Sequence, residues 1–256
     1  MTRYFLKLSY KGTNYHGWQI QDNTDTVQQE VNQALTTLFN EEILCTGCGR
    51  TDTGVHAKEF YAHFDSSLLI DNREQLIFRL NGCLPSDISV SDVFEVPLES
   101  NARFDAISRT YEYIISLKKD PFLKEQSHYL FRTLDLGLMK KAGKELKAHE
   151  DFTSFSKSNT QTKTNLCDIK KAEWTANDQQ LKFTITANRF LRGMVRAIVG
   201  TLLEVGQGKI TVSDFAEIIE AKDRGKAGTS VPAAGLHLIA VEYPKDLFIS
   251  QTKSKL

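Results

Sequence analysis

The sequence predicts an α+β fold in which two related sub-domains share a largely antiparallel sheet. Three observations predict it. Both halves of the chain mix strand-period and helix-period segments in an α+β order. No short-period repeat and no long low-complexity linker divides the halves. A length of 256 residues suits one large domain or two small, closely packed ones.

The elements follow in order. Arg3 to Tyr10 alternates with period two: Tyr4, Leu6, Leu8 and Tyr10 face the core and Arg3, Lys7 and Ser9 face out, with Phe5 the exception. Thr26 to Phe39 carries Val27, Val31, Ala34, Leu35 and Leu38 at helical spacing, with Asp25 or Thr24 as N-cap. Strands are expected at Ile43–Cys48 and Phe60–Phe64, a short helix at Arg73–Leu80, and a strand at Ile88–Val96 that stops at Pro97. The boundary between sub-domains falls near Asn101–Ile107, dividing the chain into 1–105 and 106–256. Beyond it come a strand at Arg109–Leu117 and a helix at Leu136–Leu146. Leu166–Thr175 and Leu181–Ala187 form a hairpin around Asn177-Asp178. A long helix at Arg189–Val205, a shorter one at Val212–Ala221 and a last strand at Leu236–Val241 complete the series.

Composition sets the class. The chain is 41% hydrophobic and 25% charged, ordinary for a globular protein, and no apolar run approaches a membrane span. Met1–Tyr10 lacks the apolar core and cleavage site of a signal peptide. Cys45, Cys48, Cys83 and Cys167 show no disulfide framework, so the expected compartment is the reducing cytoplasm. The 32 basic and 32 acidic residues balance. Any nucleic-acid partner must therefore be held by local placement of charge, as in a basic cleft.

Four segments carry chemistry-bearing residues. Gly49-Arg50-Thr51-Asp52-Thr53-Gly54-Val55-His56 is a polar, glycine-bracketed run that follows a strand. Such a loop can aim Asp52, and an Arg50 two residues away on the same face would favour the ionised carboxylate. An ionised carboxylate in a cleft can serve as a nucleophile; the competing reading is a loop-capping Asp with an incidental Arg. Tyr10 to Gln21 offers Tyr15, Trp18, Gln19 and Gln21 for stacking on bases or bonding to their edges, against the alternative of a turn held by buried aromatics. At about 100° per residue, Arg189, Arg192 and Arg196 fall within ~60° of one another on the expected helix, opposite Leu191, Val195, Ile198 and Leu202. Guanidiniums gathered there suit RNA phosphate or a catalytic carboxylate, and their placement at a helix N-terminus runs against the macrodipole. In Arg109–Ile115, Tyr111, Tyr113 and Ile115 share one strand face; Tyr113 reads as packing, while Tyr111 lies near enough the strand start to reach a site.

Other chemistries have little support. Cys45-x-x-Cys48 with His56 and His63 lacks a second cysteine pair, and on a strand positions i and i+3 face opposite ways, so no metal is expected. No P-loop and no G-x-G-x-x-G supports a nucleotide cofactor.

Together these segments resemble the TruA-type tRNA pseudouridine synthases along nearly the whole chain. The matching strings are Y-x-G-x-x-Y-x-G-W-Q-x-Q (Tyr10–Gln21), G-R-T-D-x-G-V-H (Gly49–His56), L-N-x-x-L-P-x-D-I (Leu80–Ile88), A-R-F (Ala102–Phe104) and R-x-Y-x-Y (Arg109–Tyr113). D-F-T-S-F (Asp151–Phe155), F-L-R-x-M-V-R-x-I-V-G (Phe190–Gly200) and P-A-x-G-L (Pro232–Leu236) continue the series. The chain departs at Lys11, where the family usually has Asp, and at Thr53, Asn101 and Lys163, where Ala, His and Arg are usual. No proposed catalytic group is lost.

The resemblance implies the pseudouridine synthase fold with a central cleft, and isomerisation of uridine to pseudouridine at positions 38, 39 and 40 of the tRNA anticodon stem-loop. It implies Asp52 as nucleophile, Tyr111 against the target base, Arg196 paired with Asp52, and Arg50 filling the space of the flipped base. Arg189, Arg192, Trp18, Gln19 and His56 join Tyr111 as substrate-binding residues. No cofactor and no metal are implied, and a homodimer with tRNA touching both subunits is. An anchored carboxylate, an aromatic surface and guanidiniums are the parts base flipping requires. Two other readings remain: a non-catalytic RNA-binding protein of the same fold, and a nucleoside hydrolase. The latter ordinarily needs a second carboxylate, where Thr51 and Thr53 stand instead.

Overall fold

The computed structural model describes residues 1–157 and 163–248. In chain order the elements are β1 (Thr2–Tyr10), α1 (Val27–Phe39), β2 (Thr46–Gly47), β3 (His56–Ser66), α2 (Arg73–Cys83), β4 (Ile88–Val96) and β5 (Ser108–Ser116). There follow β6 (His128–Tyr129), α3 (Leu136–Glu145), β7 (Ile169–Ala176), β8 (Gln180–Ala187), α4 (Met194–Gly206), α5 (Val212–Glu220) and β9 (Leu236–Glu242). Strands and helices are mixed and the pairing is mostly antiparallel, as an α+β class requires.

Two compact units are present: Met1–Ile107 together with the chain from Leu238 onward, and Ser108–His237. The sequence reading keeps everything after residue 105 together. In the structure the final segment returns to the first unit, where Ile107 donates its N–H to the Glu242 carbonyl and the Tyr243 hydroxyl donates to the Ala102 carbonyl.

In the first unit the strand order is β4-β1-β3-β9, with β2 on β3. Tyr4, Leu6, Leu8 and Tyr10 are buried as their period predicts. Phe5, the exception, is fully buried on the other face, against Tyr243 at 5.6 Å and Phe248 at 6.1 Å. Both faces of β1 are covered there, so strict alternation fails. The N-cap of α1 is Thr26, not Asp25 or Thr24, and it forms no side-chain cap bond. The first N–H groups of α1 go instead to the carbonyls of Gly17 and Trp18, at 3.2 and 3.0 Å. A backbone loop supplies the acceptors that a polar cap ordinarily provides. Of the strand expected at Ile43–Cys48 only Thr46–Gly47 forms. Cys45 is held by side chains of α1, its N–H by Asn32 and its carbonyl by Gln28.

In the second unit the order is β5-β8-β7, antiparallel, with β6 parallel to β5. The expected hairpin closes at Asn177, whose side-chain oxygen accepts the N–H groups of Gln179 and Gln180. Trp174 and Phe183 pack at 4.9 Å across the pair, and Phe155, Phe215, Ile198 and Leu202 extend the core. The largest difference is in α4. It begins at Met194, not Arg189, because Gly193 precedes it in the left-handed region at φ 73°. An L-residue helix cannot run through such a position.

Candidate active site

In the first unit, Asp52 sits in the connection that leaves β2 and re-enters the sheet at β3. Its backbone is held from both sides. Cys48 donates its N–H to the Tyr61 carbonyl at 2.7 Å, fixing the start of the loop. Val55 N–H donates to the Asp52 carbonyl at 3.1 Å, closing a four-residue turn whose third position is Gly54 at φ 77°. Positive φ at that position is what a type II turn asks of glycine. Thr51 is buried, and its side-chain oxygen lies 2.9 Å from the Tyr10 hydroxyl.

A second loop, Gly12–Trp18, underlies the first. Trp18 N–H donates to the Thr51 carbonyl at 3.3 Å, and Gly54 N–H donates to the Tyr15 carbonyl at 3.3 Å. The two backbones approach so closely that a Cβ on Gly12 would collide with the Val55 carbonyl, and one on Gly17 with the Thr51 carbonyl. The Y-x-G-x-x-Y-x-G-W string is thus the cradle of the G-R-T-D loop. The outcome is a half-buried Asp52 at a tip with little backbone freedom.

This cradle corrects three expectations. Trp18 does not offer its face to a base: it is 1% exposed and lies on Phe60 at 4.2 Å. Tyr15 is buried too, its hydroxyl donating to Asp87 at 2.6 Å, and burial pushes that hydroxyl above the usual tyrosine range. His56 is 3% exposed, and its Nδ1 accepts the Gly12 N–H at 3.1 Å. It ties the two loops together and is no surface for RNA. Arg50 is exposed and lines a cavity of about 100 Å³ with Trp18 and Gln19. Residues 50–52 are not a strand, so the shared-face argument for Arg50 and Asp52 does not hold.

In the second unit, Tyr111 stands near the start of β5, half-buried, with its ring edge-on to Phe190 at 5.2 Å and 89°. Tyr113 and Ile115, on the same face, are fully buried. Arg196 lies in the first turn of α4 and its Nε donates to the Val231 carbonyl at 2.8 Å. That carbonyl offsets part of the macrodipole's repulsion of a cation. The Tyr113 hydroxyl donates to the next carbonyl, Pro232, at 2.9 Å. Arg196 and Tyr113 therefore grip one short segment from two sides, a role for Tyr113 beyond packing that its apolar strand face did not signal. Arg189 and Arg192 are not on the helix at all. They stand on the irregular run before it, where the Arg192 carbonyl accepts the Lys157 N–H at 3.1 Å. The three-arginine helical stripe is replaced by one helical arginine and two on a loop; Arg192 is exposed and Arg189 half-buried.

Cys45 and Cys48 are buried, with burial pushing the Cys45 thiol up to about 12, and Cys48 Sγ accepts the Tyr61 N–H. Among the described residues no helix is long and apolar enough to cross a membrane.

The first unit thus presents a half-buried carboxylate on a braced loop, two residues from an exposed guanidinium that lines a cavity; comparison with known proteins gives the class, that of tRNA-modifying enzymes. Residues 142–244 match the family model described as tRNA pseudouridine synthase. A protein named tRNA pseudouridine synthase A from Bacteroides thetaiotaomicron is 49% identical, covering 100% of this chain and 96% of its own length. Those of the same name from Parabacteroides distasonis and Porphyromonas gingivalis are 52% and 48% identical, each covering 97% of this chain and 98% and 100% of their own lengths. The chain belongs to the tRNA pseudouridine synthase A family.

Proposed function

We infer that this chain isomerises uridine to pseudouridine in the anticodon stem-loop of tRNA, at positions 38, 39 and 40, with Asp52 as the nucleophile on a flipped-out uridine. The observation that carries the assignment of Asp52 is the double bracing of its loop. Positioning a reacting group in advance removes entropy from the barrier, and a loop fastened from both sides supplies that.

The reaction conserves every atom. The N1–C1′ bond of the nucleotide breaks, the base turns, and C5 bonds to C1′. C5 gives up its proton and N1 takes one. No electron acceptor and no cofactor enters the balance. Asp52 attacks either the ribose or the base and is released when the new bond forms. Tyr111 rests against the base and assists the proton at C5; the edge-on contact with Phe190 supports that placement. Arg196 pairs with Asp52, and its tether to Val231 limits the directions in which the guanidinium can point. Arg50, exposed beside the nucleophile's loop, occupies the gap in the RNA stack.

Arg189, Arg192 and Gln19 contact the RNA. The enzyme acts as a homodimer, as its family resemblance suggests, in the cytoplasm, a compartment that suits four free cysteines.

The test is Asp52→Asn. Pseudouridine mapped at single-nucleotide resolution after incubation with unmodified tRNA is expected to vanish, while tRNA affinity stays within about threefold. Full conversion by the variant would remove Asp52 from the chemistry.

A further inference from the structure

The cavity beside the nucleophile's loop is built from a wired amide pair and two guanidiniums. Gln28, a buried polar residue on α1, has its orientation dictated by the backbone. Its Oε1 accepts the Ile20 N–H at 3.0 Å, and its Nε2 donates to the Cys45 carbonyl at 2.7 Å. A backbone N–H can only donate and a carbonyl can only accept, so the Gln28 amide cannot be reversed. The same Oε1 accepts the Gln19 Nε2 at 2.8 Å. The orientation of Gln19 is therefore set as well, and its Oε1 is held as an acceptor at a half-buried position on the cavity wall. Trp18 forms part of the same wall, and exposed Arg50 and Arg103 are the cationic members of the lining.

We propose that this cavity is a second nucleotide subsite. It holds one unpaired nucleotide of the RNA other than the uridine being isomerised, its base donating an N–H to Gln19 Oε1 and its phosphate gripped by Arg103, while Arg50 at the edge of the same cavity keeps its place in the stack. The proposal rests on the reading of the chain as a tRNA-modifying enzyme. Three features favour this occupant over a free anion. A fixed carbonyl acceptor repels phosphate but accepts the N–H that the pairing edge of every nucleobase carries. The amides and the indole of the lining are buried or half-buried, while both charges are on exposed side chains, matching a base inside and a backbone outside. The cavity also adjoins Arg50, two residues from Asp52, so its occupant is a near neighbour of the target in the RNA. Gln28 acts as a positioning residue for Gln19.

A chemical double-mutant cycle tests this. Anticodon stem-loop RNAs are prepared in which each unpaired nucleotide in turn, the target excepted, is made abasic, and their affinities for the wild-type chain and for Gln19→Leu are measured. For wild type, one abasic position is expected to cost about tenfold in affinity, the worth of one base contact. In Gln19→Leu that cost should fall below about twofold, because the partner of the missing base is already gone. Arg103→Ala is expected to weaken every RNA alike and to lower the slope of log affinity against log salt by about one. The subsite is refuted if no abasic RNA binds more weakly than the intact one, or if the penalty is equal in wild type and Gln19→Leu. A lowered salt slope for Arg103→Ala without any base penalty would refute it too, by assigning the cavity to phosphate alone. Conversion of the intact RNA by wild type is scored in the same samples. Its absence would sink the enzymatic reading itself, whereas its presence with no base penalty would sink only the subsite.

Discussion

Gly17→Ala tests whether the Asp52 loop is held by the loop beneath it. Gly17 has φ 91°, and a Cβ there would collide with the Thr51 carbonyl. The left-handed conformation alone costs an alanine about 1–2 kcal/mol. Relief of the collision requires the two backbones to part, which breaks the 3.3 Å bond from Trp18 N–H to Thr51 and adds about 1 kcal/mol. A total of about 2–3 kcal/mol corresponds to a fall of roughly 4–12 °C in Tm for a chain of this size. The larger effect is on catalysis. Moving Thr51 moves Asp52, the proposed nucleophile, and a displacement of about 1 Å at a reacting group costs on the order of a hundredfold in rate. The assay is single-turnover formation of pseudouridine, beside thermal unfolding. Gly82→Ala is the control: Gly82 is in α2, has no positive φ, and a Cβ there meets nothing within 4 Å. That change is expected to stabilise by about 0.5–1 kcal/mol. If Gly17→Ala unfolds within a degree of wild type and turns over at full rate, the cradle does not position Asp52.

Three further outcomes are expected. Tyr113→Phe leaves the Pro232 carbonyl without its buried donor, costing about 1–2 kcal/mol in thermal or urea unfolding. It should also lower turnover several-fold with little change in KM, because the segment anchoring Arg196 loosens; a pure loss of stability would refute the link. Arg192→Ala should weaken tRNA binding and reduce the salt slope by about one, and an unchanged slope would make Arg192 structural. Asp65→Asn removes a two-bond ion pair with Arg3, both contacts at 2.7 Å, that holds the Asp65 carboxyl below its usual range, chiefly through the Arg3 hydrogen bonds. A depressed folded-state pKa stabilises above the unfolded value of about 4 and is lost as pH falls through the folded one. The variant should therefore be about 1 kcal/mol less stable at pH 7, a figure reduced for partial exposure, and should converge on wild type as pH falls through the folded-state value; a gap that persists once the carboxyl is fully protonated would refute the pairing.

Much of this protein was legible in local pattern. Strand β4 occupies the expected residues Ile88–Val96, and the hairpin at Asn177 closes where its turn residues indicate. Period-two alternation and turn chemistry are properties of neighbouring residues, so they survive whatever packs around them. The register of the motifs marked the family before any geometry was known, since spacing is a property of the chain itself. The candidate nucleophile was visible for the same reason: glycines bracketing an acid are a local signature.

What tertiary structure alone decided came from contacts between residues far apart in the chain. Trp18 and Gln19 are adjacent and equally suited to meet a base, yet Trp18 is buried against Phe60 while Gln19 remains half-buried on a cavity wall. Arg189 and Arg192 fit a helical stripe perfectly well, but Gly193 turns the chain, and propensity cannot outweigh a left-handed residue. Phe5 breaks the pattern of β1 because Tyr243 and Phe248 arrive from the far end of the chain to cover it. Sequence alone determined which groups are available and which local conformations they favour. Packing determined which of those groups are buried as structure and which remain accessible, because burial depends on partners that sequence spacing does not name.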